Sequence, residues 1–262
     1  MLILGWDIGI KNLSYCLVEY TGDSKQPIEE VYSECKIKSW GIIDLLNADE
    51  PTDNVSSNIL NALETNAIAK KTVTKKPAEK NPAAKKKPKK CKDLKLIEIG
   101  RTIKKKFDEI SEFNSIDYVV IENQPVLKNP TMKSIQIMVF SYFVYKDQPQ
   151  NHEITDVCLL NANNKMKVYK GEIDPEVLAK ITKLKSKYSQ NKKLSIIHTN
   201  LMLENINEES NYIEMFNKSK KKDDLADSYL MSLFFISNRI NTPIKIKKIQ
   251  KKKKPLSAPS IK

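Results

Sequence analysis

Leu2-Ile3-Leu4-Gly5-Trp6 runs apolar into Asp7, and far along the chain Tyr118-Val119-Val120-Ile121 runs the same way into Glu122. Both read as short strands that end on a carboxylate. A carboxylate at the end of a buried strand must be paired, neutralised or metal-bound, because removing it alone from water costs on the order of several kcal/mol. Two further acids, Asp224 and Asp227, stand i and i+3 in a late helical stretch. They therefore project from one face, which Leu230 and Phe234 continue toward the core. Four acids without a basic partner call for a hard divalent cation. Two such ions about 4 Å apart form a clamp that cleaves phosphodiesters by in-line displacement. The first expectation is a metal-dependent nuclease that uses Asp7, Glu122, Asp224 and Asp227.

Each acid also has an ordinary explanation. Asp7 opens Asp7-Ile8-Gly9-Ile10-Lys11-Asn12, where Gly9 allows a turn or a close approach to phosphate and Lys11 with Asn12 could bind it. A turn after a strand needs nothing more. The phosphate loop of actin-type ATPases also follows a first strand, but those proteins need further glycine-rich loops, and only Gly100 and Gly171 follow Gly41 here. No nucleotide cofactor is expected. Glu122 could be solvated at a sheet edge, with Gln124 beside it orienting a ligand or touching a DNA backbone. Asp223 and Asp224 could simply complement the dipole of the helix they open. That explanation suits Asp223 and leaves Asp227 unaccounted for.

Working outward from the two acidic strands, Asn12–Tyr20 and roughly Val31–Ile43 read as two more strands of an antiparallel meander. A short helix is expected near Ile59–Ile68. Leu96, Ile99, Ile103, Phe107 and Ile110 keep helical spacing up to Phe113. Asn129-Pro130 caps a helix that runs to Tyr145. Val157–Leu160 is a fifth strand. Helices follow at about Pro175–Ser189, Lys193–Asn205 and Asp223–Ser237. The order strand, strand, strand, helix, strand, helix, strand, helices fits an α/β ribonuclease H-like fold, a five-stranded mixed sheet flanked by helices. Its first and fourth strands lie side by side, so that Asp7 and Glu122 meet.

The 262 residues carry a formal charge of +13, and its location says more than its size. Lys70–Lys90 holds ten lysines against one acid, Glu79, and Lys245–Lys262 holds eight lysines and no acid. With their prolines, these segments cannot bury enough apolar surface to fold and read as flexible arms that attract polyanions. A nuclear-import-like or solubilising run has the same composition. The expected division is a nuclease domain formed by 1–47 and 93–240, a Lys/Pro-rich insertion at 48–92 and a basic tail at 241–262. No run of about 18 apolar residues occurs, so no membrane span is expected. Cys16, Cys35, Cys91 and Cys158 lack metal-ligand spacing with each other or with His152 and His198. Thiols in a reducing intracellular compartment, cytoplasm or nucleus, are expected.

Four motifs in order make a more specific pattern: D-I-G-x-K-N-L-x-Y from Asp7, I-E-N-Q-P from Ile121, N-K-M-K-V-Y at 164–169 and K-K-D-D-L-A-D at 221–227. Together they resemble the Holliday junction resolvases of poxviruses and other large DNA viruses, relatives of bacterial RuvC and of the mitochondrial resolvases. The resemblance spans the chain outside 48–92 and the tail. It implies that Asp7, Glu122, Asp224 and Asp227 hold two Mg²⁺ ions, with Mn²⁺ able to replace them. It also implies a homodimer that cuts two strands of like polarity in a four-way DNA junction. Ile137, Met138, Phe140, Tyr142 and Phe143 on the Ile135–Tyr145 helix are the expected interface, or else ordinary core. Junction contacts are expected from Lys11, Asn12, Gln124, Lys128, Lys133, Lys165, Lys167, Lys192, Lys193, Lys221 and Lys222. A ribonuclease acting on RNA–DNA hybrids would use the same acids, and a non-catalytic junction-binding protein would rest on the lysines. The arms supply one test. Deleting Lys70–Lys90 should weaken DNA binding and flatten its salt dependence, since fewer counterions are released. If deletion instead abolishes preference for four-way over linear duplex DNA, that segment belongs to the recognition surface.

Overall fold

The structure is a computed structural model that describes residues 1–22, 31–47, 53–54, 95–147, 152–205 and 210–240. The helix expected at 59–68 and both lysine-rich segments lie outside these residues. Five strands of five to nine residues form one mixed sheet: β1 (Leu2–Asp7), β2 (Leu13–Tyr20), β3 (Cys35–Ile43), β5 (Tyr118–Glu122) and β6 (Asp156–Leu160). A two-residue strand, β4 (Asp53–Asn54), adds a sixth member inside the segment expected to be an insertion. The order across the sheet is β4-β3-β2-β1-β5-β6. β1 through β4 pair antiparallel, while β5 joins β1 and β6 joins β5 in parallel. This places the first strand beside the strand that carries Glu122, as the sequence led one to expect.

Strand alternation divides the core into two layers. Leu4 and Trp6 of β1 with Val119 and Ile121 of β5 pack against α1 (Leu96–Asp108) and α2 (Pro130–Tyr145). Trp6 stacks on Phe107 at 4.7 Å and meets Phe113 and Phe143 at 5.7 and 6.0 Å. Ile3 of β1 and Val120 of β5 face the other layer, with α4 (Lys187–Asn205), α5 (Ser210–Lys218) and α6 (Lys222–Phe235). Residues 225–235 of α6 are all buried, as expected of a helix enclosed between a sheet and other helices.

Several elements differ from expectation. α1 ends at Asp108, and Phe113 reaches the core from a separate 3-10 turn, Ser111–Asn114. The stretch from Pro175 splits into α3 (Pro175–Thr182) and α4, which starts at Lys187 rather than Lys193. α5 was not anticipated. On α2, Asn129 Oδ1 accepts from the Met132 N–H at 3.3 Å with Pro130 in the first turn, the expected cap. Its proposed interface is only partly outward. Phe143 is buried against Trp6 and Phe107, whereas Ile137 is 46% and Tyr145 81% exposed. Cys16, Cys35 and Cys158 are thiols. Among the described residues no helix is long and apolar enough to cross a membrane.

Close approach of α6 to β1 depends on small residues. A Cβ added at Gly5 would press on Ser232 Oγ and lie 2.5 Å from the Ser228 carbonyl oxygen. Ser232 Oγ donates to the Cys16 carbonyl at 3.0 Å, tying the helix to β2. Gly5→Ala should therefore lower stability by about 1–3 kcal/mol, the usual range for overpacking. The urea midpoint measures it, and an unchanged midpoint would mean that α6 moves away freely.

Candidate metal and nucleic-acid site

The same alternation that sends Ile3 and Gly5 toward α6 sends Asp7 there too, two residues further along. On β5, Glu122 follows Val120 to that face. Trp6 is in register with Ile121, so the next residues, Asp7 and Glu122, leave the sheet side by side. α6 crosses above them with Asp227 two helical turns before Phe234, and its first turn is anchored where Ser14 Oγ donates to the Asp224 carbonyl at 2.5 Å. Trp40 Nε1 adds a hydrogen bond to the Leu225 carbonyl at 3.1 Å. Three acids from three elements thus converge at one end of the sheet.

They do not converge alone. Lys165, on the 3-10 turn Ala162–Lys167 after β6, places its Nζ against Asp227 Oδ2 and 3.8 Å from Glu122 Oε2, with its side chain 12% exposed. The expected cluster of acids without a base is corrected here, because a lysine supplies the counter-charge. Burial would drive the Lys165 proton off, but Asp227, Glu122 and Asp7 outweigh it and hold the ammonium charged well above the ordinary lysine range. Burial is also the main reason that Asp7 is pushed well above the usual carboxylate range. Its hydrogen bond to Glu122 and repulsion from Glu122 and Asp227 add to that. Asp227 is raised by burial and opposed by Lys165. Its Oδ1 is buried and makes no hydrogen bond of ordinary geometry among the described residues, with Ser195 close enough to favour the charged form.

Asp224 stands further out. Burial, with Asp223 next to it, raises its carboxyl to about 6, and Asp227 adds to that while Lys192 and Lys221 oppose it. Asp223 pairs with Lys192, which overcomes burial and holds that carboxyl low. The proton on Lys192 is held correspondingly tightly, against its own burial.

The other sequence candidates fall into two groups. Lys11, Lys128, Lys167, Lys193 and Lys221 are exposed, and Asn12, Gln124, Lys133 and Lys222 half-buried. Lys165 and Lys192, expected to reach DNA, are turned onto acids of the protein itself. Lys133 donates to Asn123 Oδ1 at 2.9 Å and Gln136 Oε1 at 3.1 Å. Gly9 sits in a tight turn, where a Cβ would lie 2.9 Å from the Asn12 carbonyl carbon. Sequence reasoning missed the inward turn of Lys165, since a lysine two residues from another in a polar segment carries no periodic signal.

Among the described residues, no group of three or more acid, histidine or cysteine side chains is arranged so that it could hold a metal ion as it stands. The donor chemistry nonetheless fits a hard divalent cation: the side chains offer oxygen ligands, two of the carboxyls repel each other, and Asp227 Oδ1 is buried without a hydrogen bond of ordinary geometry. Lys165 is the cation those oxygens hold in this structure.

Comparison with known proteins supports the first half of the chain most specifically. Residues 3–125 match the family described as mitochondrial resolvase Ydc2 / RNA splicing MRS1, so the resemblance read from the motifs holds over the stretch that contains Asp7 and Glu122. An uncharacterized protein, L451, of Acanthamoeba polyphaga mimivirus is 38% identical over 138 residues, 50% of this chain and 32% of that protein. The chain thus matches about a third of the length of that relative. The fowlpox virus resolvase in complex with Holliday junction DNA is similar at 16% identity and a TM-score of 0.47, covering 90% of this chain and 97% of that one. The yeast mitochondrial Holliday junction resolvase Ydc2 is similar at 14% identity and a TM-score of 0.49, covering 89% and 78%.

The raised carboxyls give the metal-free site a definite pH dependence. A carboxyl whose pKa is higher folded than unfolded binds its proton more tightly when folded, so its ionisation costs stability. For Asp224 that loss accrues as pH rises from the ordinary value of 3.8 through about 6, and Asp7 and Asp227 act in the same direction. Asp224→Asn should therefore melt a few degrees above the unsubstituted protein in chelator at about pH 7.5, with the gap closing near about pH 4. Equal melting temperatures at the higher pH would contradict this.

Proposed function

We propose that this chain, whose residues 3–125 match a resolvase family, is a metal-dependent endonuclease that resolves four-way DNA junctions by paired symmetric incisions. The observation that carries this reading is the convergence of Asp7, Glu122 and Asp227 from β1, β5 and α6 at one end of the sheet. Buried carboxylates at strand ends, even with a lysine among them, have no structural use that apolar residues would not serve at lower cost.

Asp7, Glu122 and Asp227 would hold the ions, with Asp224 joining them from the first turn of α6. Mg²⁺, or Mn²⁺ in its place, would polarise the scissile phosphate and acidify a bound water there. Lys165 keeps its proton among the acids and so presents a positive charge where a phosphate must approach. Exposed Lys11, Lys128 and Lys193 would carry backbone phosphates around the acids, which fixes register without reading sequence. A homodimer would present two such sites to the two equivalent phosphates of a two-fold junction. The exposed Ile137 and Tyr145 of α2 belong to the surface available for that contact.

A second reading is favoured by one observation: Lys165 already pairs with two of the acids, Glu122 and Asp227. A protein that binds branched nucleic acid without cutting it would need no metal, and the matched family description includes an RNA-splicing member alongside a resolvase.

The two readings part on a synthetic four-way junction labelled on each strand. The nuclease reading expects two nicks placed symmetrically about the branch, with 5′-phosphate and 3′-hydroxyl ends that a ligase reseals, and only when Mg²⁺ or Mn²⁺ is added. Asp227→Asn should abolish cutting while junction binding in Ca²⁺ is retained, because one less negative charge faces the phosphates. Cleavage by Asp227→Asn at the unsubstituted rate would remove Asp227 from the site. Tight junction binding with no nick in either metal would favour the binding protein.

A further inference from the structure

α2 carries a fully buried amide that the proposed chemistry does not use. Gln136 lies on the inner face of the helix between Ile135 and Val139, both also buried. Its Nε2 has no hydrogen-bond partner among the described residues, and leaving a buried donor unpaired is destabilising. A methionine of similar volume would fill this place in the apolar layer without that cost. What the amide supplies is its oxygen. Oε1 accepts from the backbone N–H of Gln124 at 2.7 Å and from Lys133 Nζ at 3.1 Å. Lys133 also reaches Asn123 Oδ1 at 2.9 Å, and the Asn123 N–H donates to the Leu160 carbonyl at 2.7 Å.

The two residues after Glu122 are thereby gripped from both sides, by β6 at Asn123 and by α2 at Asn123 and Gln124. Beyond them the chain is loosely tied: Val126 and Leu127 are 60% and 97% exposed. Glu122 is the last residue of β5, so the direction of its carboxylate depends on where the chain goes next. We propose that Gln136 is a positioning residue, which through Gln124 sets the orientation of Glu122 toward Asp7 and the approach of the exposed loop to the site. Its kinetic consequence rests on the nuclease reading, whereas the clamp itself does not.

Two substitutions in the full chain separate this role from plain core packing. Gln136→Met keeps the volume and removes the acceptor, while Gln136→Glu keeps an acceptor for Gln124 and a partner for Lys133. Three quantities are read at a temperature where melting curves show all proteins folded: hydrogen exchange at the Gln124 amide, single-turnover cleavage of the four-way junction at saturating enzyme in Mg²⁺, and junction affinity in Ca²⁺. Gln136→Met should lose amide protection and cut roughly 10- to 100-fold more slowly with affinity unchanged, since a small misplacement of a reacting group costs rate rather than binding. Gln136→Glu should recover both protection and rate. Retained protection in Gln136→Met, or Gln136→Glu as slow as Gln136→Met, would overturn the assignment. If the unsubstituted protein does not cut the junction, the nuclease reading fails, and exchange at Gln124 alone then decides the clamp.

Discussion

Two parallel neighbouring strands that end in register on carboxylates force like charges together. Everything at the functional end of the sheet follows from how that repulsion is met. β1 and β5 are in step through Trp6 and Ile121, so Asp7 and Glu122 cannot separate without breaking the central pairing of the sheet. The first response lies in the Asp7 carboxyl, where burial and then the contact with Glu122 favour the protonated form and push it well above the usual range. The second is Lys165, brought in from the turn after β6 to face Glu122 and Asp227 together. A divalent cation would be a third, and it would compete with that ammonium for the same oxygens.

α6 is the element that makes the cluster specific. Its buried apolar surface anchors it between the sheet and α4 and α5, where Phe216 of α5 stacks on Trp40 at 5.3 Å. Its two serines and the absence of a side chain at Gly5 set how closely it rides on β1. That distance fixes the height of Asp227 above Asp7. Fold stability and site geometry are thus coupled through the same contacts, and substitutions at Gly5 or Ser232 would be felt at both.

Much of this was legible in the chain. Two apolar runs ending on acids, the i, i+3 spacing of Asp224 and Asp227 and the Asn129-Pro130 cap are local patterns whose physics does not depend on tertiary context. The order of elements fitted a mixed sheet whose first and fourth strands lie side by side, and β1 and β5 are those neighbours; that they run parallel is set by the structure. What escaped was set by tertiary contacts. Lys165 has no sequence signal because its partners lie 43 and 62 residues away. Lys192 looked like one more solvated lysine and is paired with Asp223. Gln136 sits in a helix read as apolar, and its role appears only when its oxygen is seen to meet Gln124. Asp224, grouped with Asp227 by spacing, is less deeply buried than Asp227 and lies beside Asp223, with Lys192 and Lys221 acting on it.

The most direct measurement is anomalous scattering from crystals of the full chain grown in Mn²⁺. The nuclease reading predicts a manganese peak bounded by the carboxylates of Asp7, Glu122 and Asp227, with the Lys165 ammonium displaced from Asp227. Crystals saturated with Mn²⁺ that show no peak there, with Lys165 still seated on Asp227, would contradict it and leave the acids as the buried half of an ion pair.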